Sequence, residues 1–312
     1  MQVLNELLDS ISIGPPQVFE EVQVFPLFSS RSDSSSLLEL DEALAKGLVE
    51  ITEVSDAGSV PQLNVTNSSL RDVIIYDGQQ LIGAKQNRAI NITVVVPANS
   101  TLPIPVSCVE QRRWHYTSPS FASSDSFAYP SLRRTTHSDV TRNKETFGSS
   151  EADQSRVWQD ISAKSARMEV FSDSMAMSDI YESRAPESAG MKEAFKVEEK
   201  QIGYMAFVKG GFAGCDVFGS TDACRGKMEK LLRGYYLDSR DTGVVFEPVD
   251  INEILREVRA AEHREFETVG KGRERRFEAA RELLAVSCDE RLEDRAVFVR
   301  RLDAVLLFLK ME

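Results

Sequence analysis

The stretch from residue 73 to residue 110 most constrains what this chain can fold into, because nearly all of it reads as strand. Val73-Ile74-Ile75-Tyr76 runs into Asp77-Gly78, a tight-turn pair, and Gln80-Leu81-Ile82-Gly83 resumes the extended pattern. Ala89-Ile90-Asn91-Ile92-Thr93-Val94-Val95-Val96 is a third run, apolar on both faces toward its end, and Pro97-Ala98-Asn99-Ser100 turns it. The next strand, residues 102–109, carries Pro103 and Pro105 at its start, where a missing N–H is tolerated. Short strands separated by turn signals at this spacing predict a sandwich or a partly closed sheet.

The flanking sequence adds mixed elements. Residues 18–28, 48–54 and 61–65 read as strands, and residues 201–208 and 212–218 as a hairpin around Gly210-Gly211. Helices are expected at 1–11, 41–46, 155–168, 178–183, 191–199, 220–236 and 251–265, the last capped by Asp250. Residues 281–301 suit either a hairpin or two helices, with the hairpin favoured and a terminal helix over 303–312. The expected class is therefore α+β: an antiparallel sheet or sandwich core with helices packed on it, mainly in the C-terminal half. One domain is expected over 13–302, in which the early strands and those near 201–218 share one core. Residues 116–154, rich in Ser and Thr and poor in aliphatic side chains, are expected as a flexible insertion.

The formal net charge of −12 repels nucleic-acid phosphates and anionic head groups, so neither nucleic acid nor a membrane is an expected partner. No run approaches the roughly 18 apolar residues of a membrane span. The start lacks the basic and apolar regions of a secretion signal, which places the expected location in the cytoplasm. Four scattered cysteines give no disulfide framework, and three dispersed histidines give no metal-ligand spacing, so no metal and no cofactor is expected.

Three constellations can carry chemistry. Gly83-Ala84-Lys85-Gln86-Asn87-Arg88 lies between two strands: Lys85 and Arg88 can neutralise phosphate, and Gln86 and Asn87 can read a base edge, a ribose or an amide. The same residues also read as a connection that satisfies its own backbone. Cys108-Val109-Glu110-Gln111-Arg112-Arg113-Trp114-His115 follows a strand end. There Glu110 can serve as a general base or hold Arg113, and Trp114 can stack on a base or pack on the core, while Cys108 reads as a buried thiol more readily than as a nucleophile. Gly270-Lys271-Gly272, followed by basic residues, can form an anion-binding nest or a solvated turn.

Several of these pieces together resemble a known family. Leu40-Asp41-Glu42-Ala43-Leu44, Ile51-Thr52-Glu53-Val54-Ser55, Ser59-Val60-Pro61-Gln62-Leu63, Gly83 to Arg88 and Pro105-Val106-Ser107-Cys108-Val109-Glu110 look like the ADP-ribosylglycohydrolase and rhodanese-phosphatase-superfamily-associated protein family. Gln201-Ile202-Gly203, Asp216-Val217-Phe218-Gly219 and Gly270-Lys271-Gly272 are similar too. Arg112 departs from the family pattern, which has a small residue before the Arg-Trp pair. The resemblance implies a link to NAD and ADP-ribose metabolism and supplies no catalytic residues. It leads to an expected ligand of the ADP-ribose or NAD-derived type, held by Lys85, Gln86, Asn87, Arg88, Arg113, Trp114, Gly270, Lys271 and Gly272, with Glu110 as base if the ligand is hydrolysed. The alternatives are a non-catalytic partner of an ADP-ribosyl hydrolase and a β-sandwich module for an unrelated ligand.

Overall fold

A computed structural model describes residues 8–30, 37–246, 248, 250–278, 282–288 and 297–304. The chain divides into two compact units, the first from residues 1–35, 187–267 and 272–312, the second from 36–186 and 268–271. It opens in the first unit with β1 (Ile11–Ile13), β2 (Gln17–Phe19) and β3 (Val22–Ser29). The second unit then takes β4 (Leu38–Glu39), α1 (Leu40–Ala45), β5 (Val49–Glu53), β6 (Gln62–Asn67), β7 (Val73–Ile75), β8 (Gln79–Gly83), β9 (Arg88–Ile90), β10 (Val94–Val96), β11 (Ser100–Cys108) and β12 (Phe121–Phe127). It closes with α2 (Pro130–Phe147), α3 (Gln154–Arg167) and α4 (Met177–Arg184). The first unit resumes with α5 (Met191–Ala194), β13 (Gln201–Val208), β14 (Gly211–Val217), α6 (Thr221–Arg240), α7 (Ile251–Ala260), β15 (Glu262–Glu267), β16 (Arg273–Glu278), β17 (Glu282–Cys288) and β18 (Val297–Ala304). The fold is α+β.

In the first unit one antiparallel sheet runs β1-β3-β13-β14-β18-β17-β16-β15, with β2 also on β3. Strands β13 and β14 are buried along their whole length, and form the expected hairpin. Ser220 caps α6 by accepting from Ala223 N–H, and Asp250 caps α7 by accepting from Asn252 N–H. Ile254 and Val258, four residues apart on α7, join a core with Leu27, Met205, Phe207 and Val217. The helix stops at Ala260 rather than running to 265. Residues 262–267 instead form the charged outer strand β15, a composition that discourages further pairing at a sheet edge. The favoured hairpin at 281–301 is present as β17 and β18; β18 runs on through Asp303 and Ala304, where the expected terminal helix over 303–312 would begin, and 305–312 lie outside the described residues.

In the second unit a sheet ordered β12-β8-β9-β11-β6-β5 curls into half a barrel, and β10-β7-β4 forms a separate small sheet. Alternation sets its inner face: Val49 and Ile51 of β5, Leu63 and Val65 of β6, Ile90 of β9, and Ile104 and Val106 of β11 fill one apolar core. Burying each such side chain stabilises by about 1.5–3 kcal/mol before entropy is counted. Among the described residues this core and that of the first unit are separate clusters of buried side chains. The Asp77-Gly78 turn also differs from the hairpin expected. β7 pairs with β10 and β4, whereas β8 pairs with β9 and β12, so the turn passes the chain between sheets.

Residues 116–154 form β12 and α2 rather than a loop throughout. Their few apolar residues are well placed: Phe121, Phe127, Leu132 and Val140 are buried. The hydroxyls have partners as well, since Ser123 donates to Asp41 and Ser126 to Gln80. Pro130 opens α2 at a position that needs no N–H, and Gly148 ends it at φ +68°.

Candidate functional site

The inner stripes of the half-barrel turn polar at one end. On β5 the buried series Val49–Ile51 continues to Glu53, on β11 Ile104–Val106 continues to Cys108, and on β9 the partner of Cys108 is Arg88. Arg88 is 0% exposed and lies 3.7 Å from the Glu53 carboxylate. Burial lowers its pKa from the usual arginine value, and the neighbouring Cys108 and Glu53 oppose that shift. Burial likewise pushes the Cys108 thiol up, against the pull of Arg88. The thiol donates to Gln86 Oε1 at 3.0 Å and to the Glu110 carbonyl at 3.2 Å, so Cys108 is a core thiol.

Loop 84–87 closes this end. Gly83 and Ala84 both take positive φ, +120° and +38°. A Cβ on Gly83 would sit 2.4 Å from Ser118 Oγ and 2.9 Å from the Ser120 carbonyl, so only glycine fits. The side chains of the loop face the residues that follow β11. Gln86 Nε2 donates to the Glu110 carbonyl at 3.0 Å, and its Oε1 accepts from Arg88 Nη1 at 3.0 Å. Asn87 N–H donates to Glu110 Oε2 at 3.1 Å, and Asn87 Oδ1 accepts from Arg113 Nη2 at 3.1 Å. Arg113 pairs with Glu110 at 2.7 Å and donates to the Ala84 carbonyl at 2.7 Å and the Gly83 carbonyl at 3.2 Å. Glu110 is thus paired rather than free. Burial alone would raise its pKa, but Arg113, the Asn87 amide and Ser174 outweigh that and hold it below the usual carboxylate value.

Outside this clasp lies an aromatic surface. Trp114 is 46% exposed and Tyr116 47%. The Lys85 ammonium sits 5.3 Å from the Trp114 ring and 5.1 Å from the Tyr116 ring, and donates to the carbonyls of Asp56 at 2.5 Å and Ala57 at 2.9 Å. The Arg88 guanidinium also lies over the Trp114 ring, 5.7 Å from its centroid. Arg112 and His115, on the same loop, are exposed. Lys85, Gln86, Asn87, Arg88, Glu110, Arg113 and Trp114 therefore come together. Gly270 and Lys271 make other contacts: Lys271 N–H donates to the Val95 carbonyl at 2.8 Å, and its ammonium pairs with Asp72 at 2.6 Å. Gly272 belongs to the first unit and takes φ +95°.

A family model for the ARG and Rhodanese-Phosphatase-superfamily-associated Protein domain matches residues 10–301. The chain belongs to that family. Its name ties the family to ADP-ribosylglycohydrolase proteins by association. Comparison with curated proteins finds no match, and neither does comparison with solved structures. Among the described residues no helix is long and apolar enough to cross a membrane, and no cluster of metal-ligating side chains occurs.

Sequence reasoning missed three features of this family member. Glu53 carried a usable signal, since it falls on the inward register of Val49 and Ile51. Tyr116 carried none beyond its proximity to Trp114. The third is a buried hydrogen bond between His137 of α2 and the Asp77 carboxylate, with Arg133 3.8 Å from the same carboxylate. These residues line a cavity of about 10 Å³ with Asn91 and Ser107, the scale of one water and far too small for a nucleotide. His137 sits in the Ser-rich stretch, where no pattern marked it.

Proposed function

We propose that the polar end of the half-barrel recognises a nucleotide-type ligand of the ADP-ribose or NAD-derived class. The carrying observation is the half-exposed pair Trp114 and Tyr116, mounted on the hydrogen-bonded clasp and flanked by the exposed Arg112. A base stacks on an indole face whatever its edge pattern, typically contributing about 1–3 kcal/mol. Arg112 and Lys85 supply positive charge for a pyrophosphate on a chain that is otherwise strongly acidic. The family's link to ADP-ribosylglycohydrolase proteins selects the nucleotide class.

The arrangement favours recognition over hydrolysis. A general base needs a free carboxylate of suitable pKa, and Glu110 is engaged by Arg113 and Asn87 with its pKa lowered. That engagement also supports the second reading, a non-catalytic partner of an ADP-ribosylglycohydrolase.

Thermal melting with ADP-ribose and with NAD tests the proposal. Ligand at about 100 times its dissociation constant adds roughly 2.7 kcal/mol to the stability of the binding unit. Trp114→Ala is expected to abolish the shift and leave the unliganded melt close to native, because half of that ring already faces solvent. Absence of a shift with either nucleotide refutes the ligand reading and leaves the partner reading.

A further inference from the structure

Beneath Trp114 the chain holds a matched set of polar atoms that its own fold does not use. Both carboxylate oxygens of Glu53, and Nε and Nη2 of Arg88, are buried and make no hydrogen bond among the described residues. The direct Arg88–Glu53 approach of 3.7 Å is an ion pair too long to be a hydrogen bond. Arg88 Nη1 is spent on Gln86, which fixes the guanidinium and leaves its other edge toward Glu53. Leaving several charged-group atoms without hydrogen bonds in a protein interior is costly, and such atoms call for an explanation.

The chemistry of the set selects its complement. Two acceptor oxygens stand beside two donor nitrogens. An anion is repelled by Glu53 and a cation by Arg88, so the group that fits is neutral. It must donate twice and accept twice from adjacent positions. Two neighbouring hydroxyls do this: each donates to one Glu53 oxygen and accepts from one Arg88 nitrogen. For the pair whose separation is 3.7 Å, Arg88 Nη2 and Glu53 Oε1, an oxygen about 2.8 Å from each partner fits between them. We propose that Glu53 and Arg88, at the polar end of the barrel interior, form a subsite for a vicinal diol of a sugar, entered by displacement of Trp114. This rests on the nucleotide reading above and adds to it: the ribose, rather than the phosphate, goes to Arg88. Trp114 suits the part of a cover, because one face lies on the guanidinium while the ring is half exposed.

The test uses the full chain carrying Trp158→Phe, so that Trp114 is the single indole reporter. Its fluorescence is titrated with ADP-ribose, with an analogue lacking the 2′ and 3′ hydroxyls of both riboses, and with D-ribose. The expected result is that the deoxy analogue binds at least tenfold more weakly than ADP-ribose. Glu53→Gln, provided its circular dichroism is native, should lose most of that discrimination; the comparison of ligands on the unaltered Glu53 stands if this variant does not fold. Equal binding of ADP-ribose and the deoxy analogue overturns the subsite and leaves nucleotide recognition intact. A response to D-ribose with no response to ADP-ribose supports the subsite and overturns the nucleotide reading. No response to any of the three overturns both.

Discussion

Replacing Arg113 by alanine tests whether the clasp around Glu110 holds the half-barrel closed. Arg113 and Glu110 form a 2.7 Å pair with side chains only 11% and 7% exposed, so solvent screens it little. The guanidinium also donates to the carbonyls of Gly83 and Ala84 and to Asn87 Oδ1. Removing one partner of such a pair costs about 3–5 kcal/mol, because the other charge stays behind. Glu110 would keep the Asn87 amide, and Ala84 O would keep Thr117 N–H, which puts the expected loss near the lower end, about 3 kcal/mol. For a domain of roughly 150–250 residues that lowers Tm by roughly 6–12 °C. Both tryptophans, Trp114 and Trp158, lie in the second unit, so intrinsic fluorescence follows its unfolding. Lys46→Ala supplies the contrast: its i,i+4 pair with Glu42 is half exposed and should be worth less than about 0.5 kcal/mol. An Arg113→Ala chain that melts no lower than Lys46→Ala refutes the clasp.

The same carboxylate sets a pH dependence. Its folded pKa lies below the usual 4.5, so the stability it contributes is full above that value and is lost as pH falls through the folded one. Urea unfolding should show the native advantage over Glu110→Gln at neutral pH and none in strong acid; a difference constant down to about pH 3 contradicts this. Gly270→Ala would put a Cβ 2.1 Å from the Val95 carbonyl oxygen, against backbone that cannot rotate away. A loss of about 1–3 kcal/mol is expected in the same fluorescence melt, and a neutral substitution would rule out the close approach. Cys108, Cys215 and Cys224 are buried, and burial, reinforced by Asp216, pushes the Cys224 thiol up to about 12. In a Cys288→Ser chain a thiol reagent should therefore react only on unfolding; rapid labelling of the native chain would contradict the burial.

Much of the fold was legible wherever local pattern and final packing agree. The alternating strands of the half-barrel, the Gly210-Gly211 hairpin and the Asp250 cap follow from period and turn chemistry alone. What could not be read was partnership. Nothing in Val73-Ile74-Ile75-Tyr76 states that its neighbour is β10 and not β8, because a tight turn can join two sheets as well as two strands of one. The stretch 116–154 misled for a related reason. Low aliphatic content argues against a packed core only if the hydroxyls are solvated, and here Ser123 donates to the partly buried Asp41 and Ser126 to the buried Gln80. Polar pairing across long sequence separations leaves no periodic trace.

The candidate site shows the same limit in its sharpest form. The clustering of residues 85–88 with 110–114 was readable, since both segments leave paired strands; their state of engagement was not. Arg88 looked like a phosphate ligand and is fully buried. Its pairing with Glu53 raises a question that stability can answer. A buried ion pair generally gains little over an apolar pair of similar volume, and replacing both members often leaves a protein as stable or stabilises it by about 1–4 kcal/mol, whereas removing one member costs about 3–5 kcal/mol. Arg88→Met alone should therefore destabilise the second unit by about that larger amount, leaving Glu53 uncompensated among Ile51 and its apolar neighbours. Glu53→Leu together with Arg88→Met should recover the loss, since Leu extends the Val49–Ile51 stripe and Met fills the space under Trp114. The two substitutions share a contact, so their effects will not add, and the recovery itself measures the coupling. If the double substitution recovers stability, the fold does not need the charges, and their use lies in what they bind. If it remains as unstable as Arg88→Met alone, Arg88 is a structural post for Gln86 and the loop above it, and the case for a diol beneath Trp114 loses its physical basis.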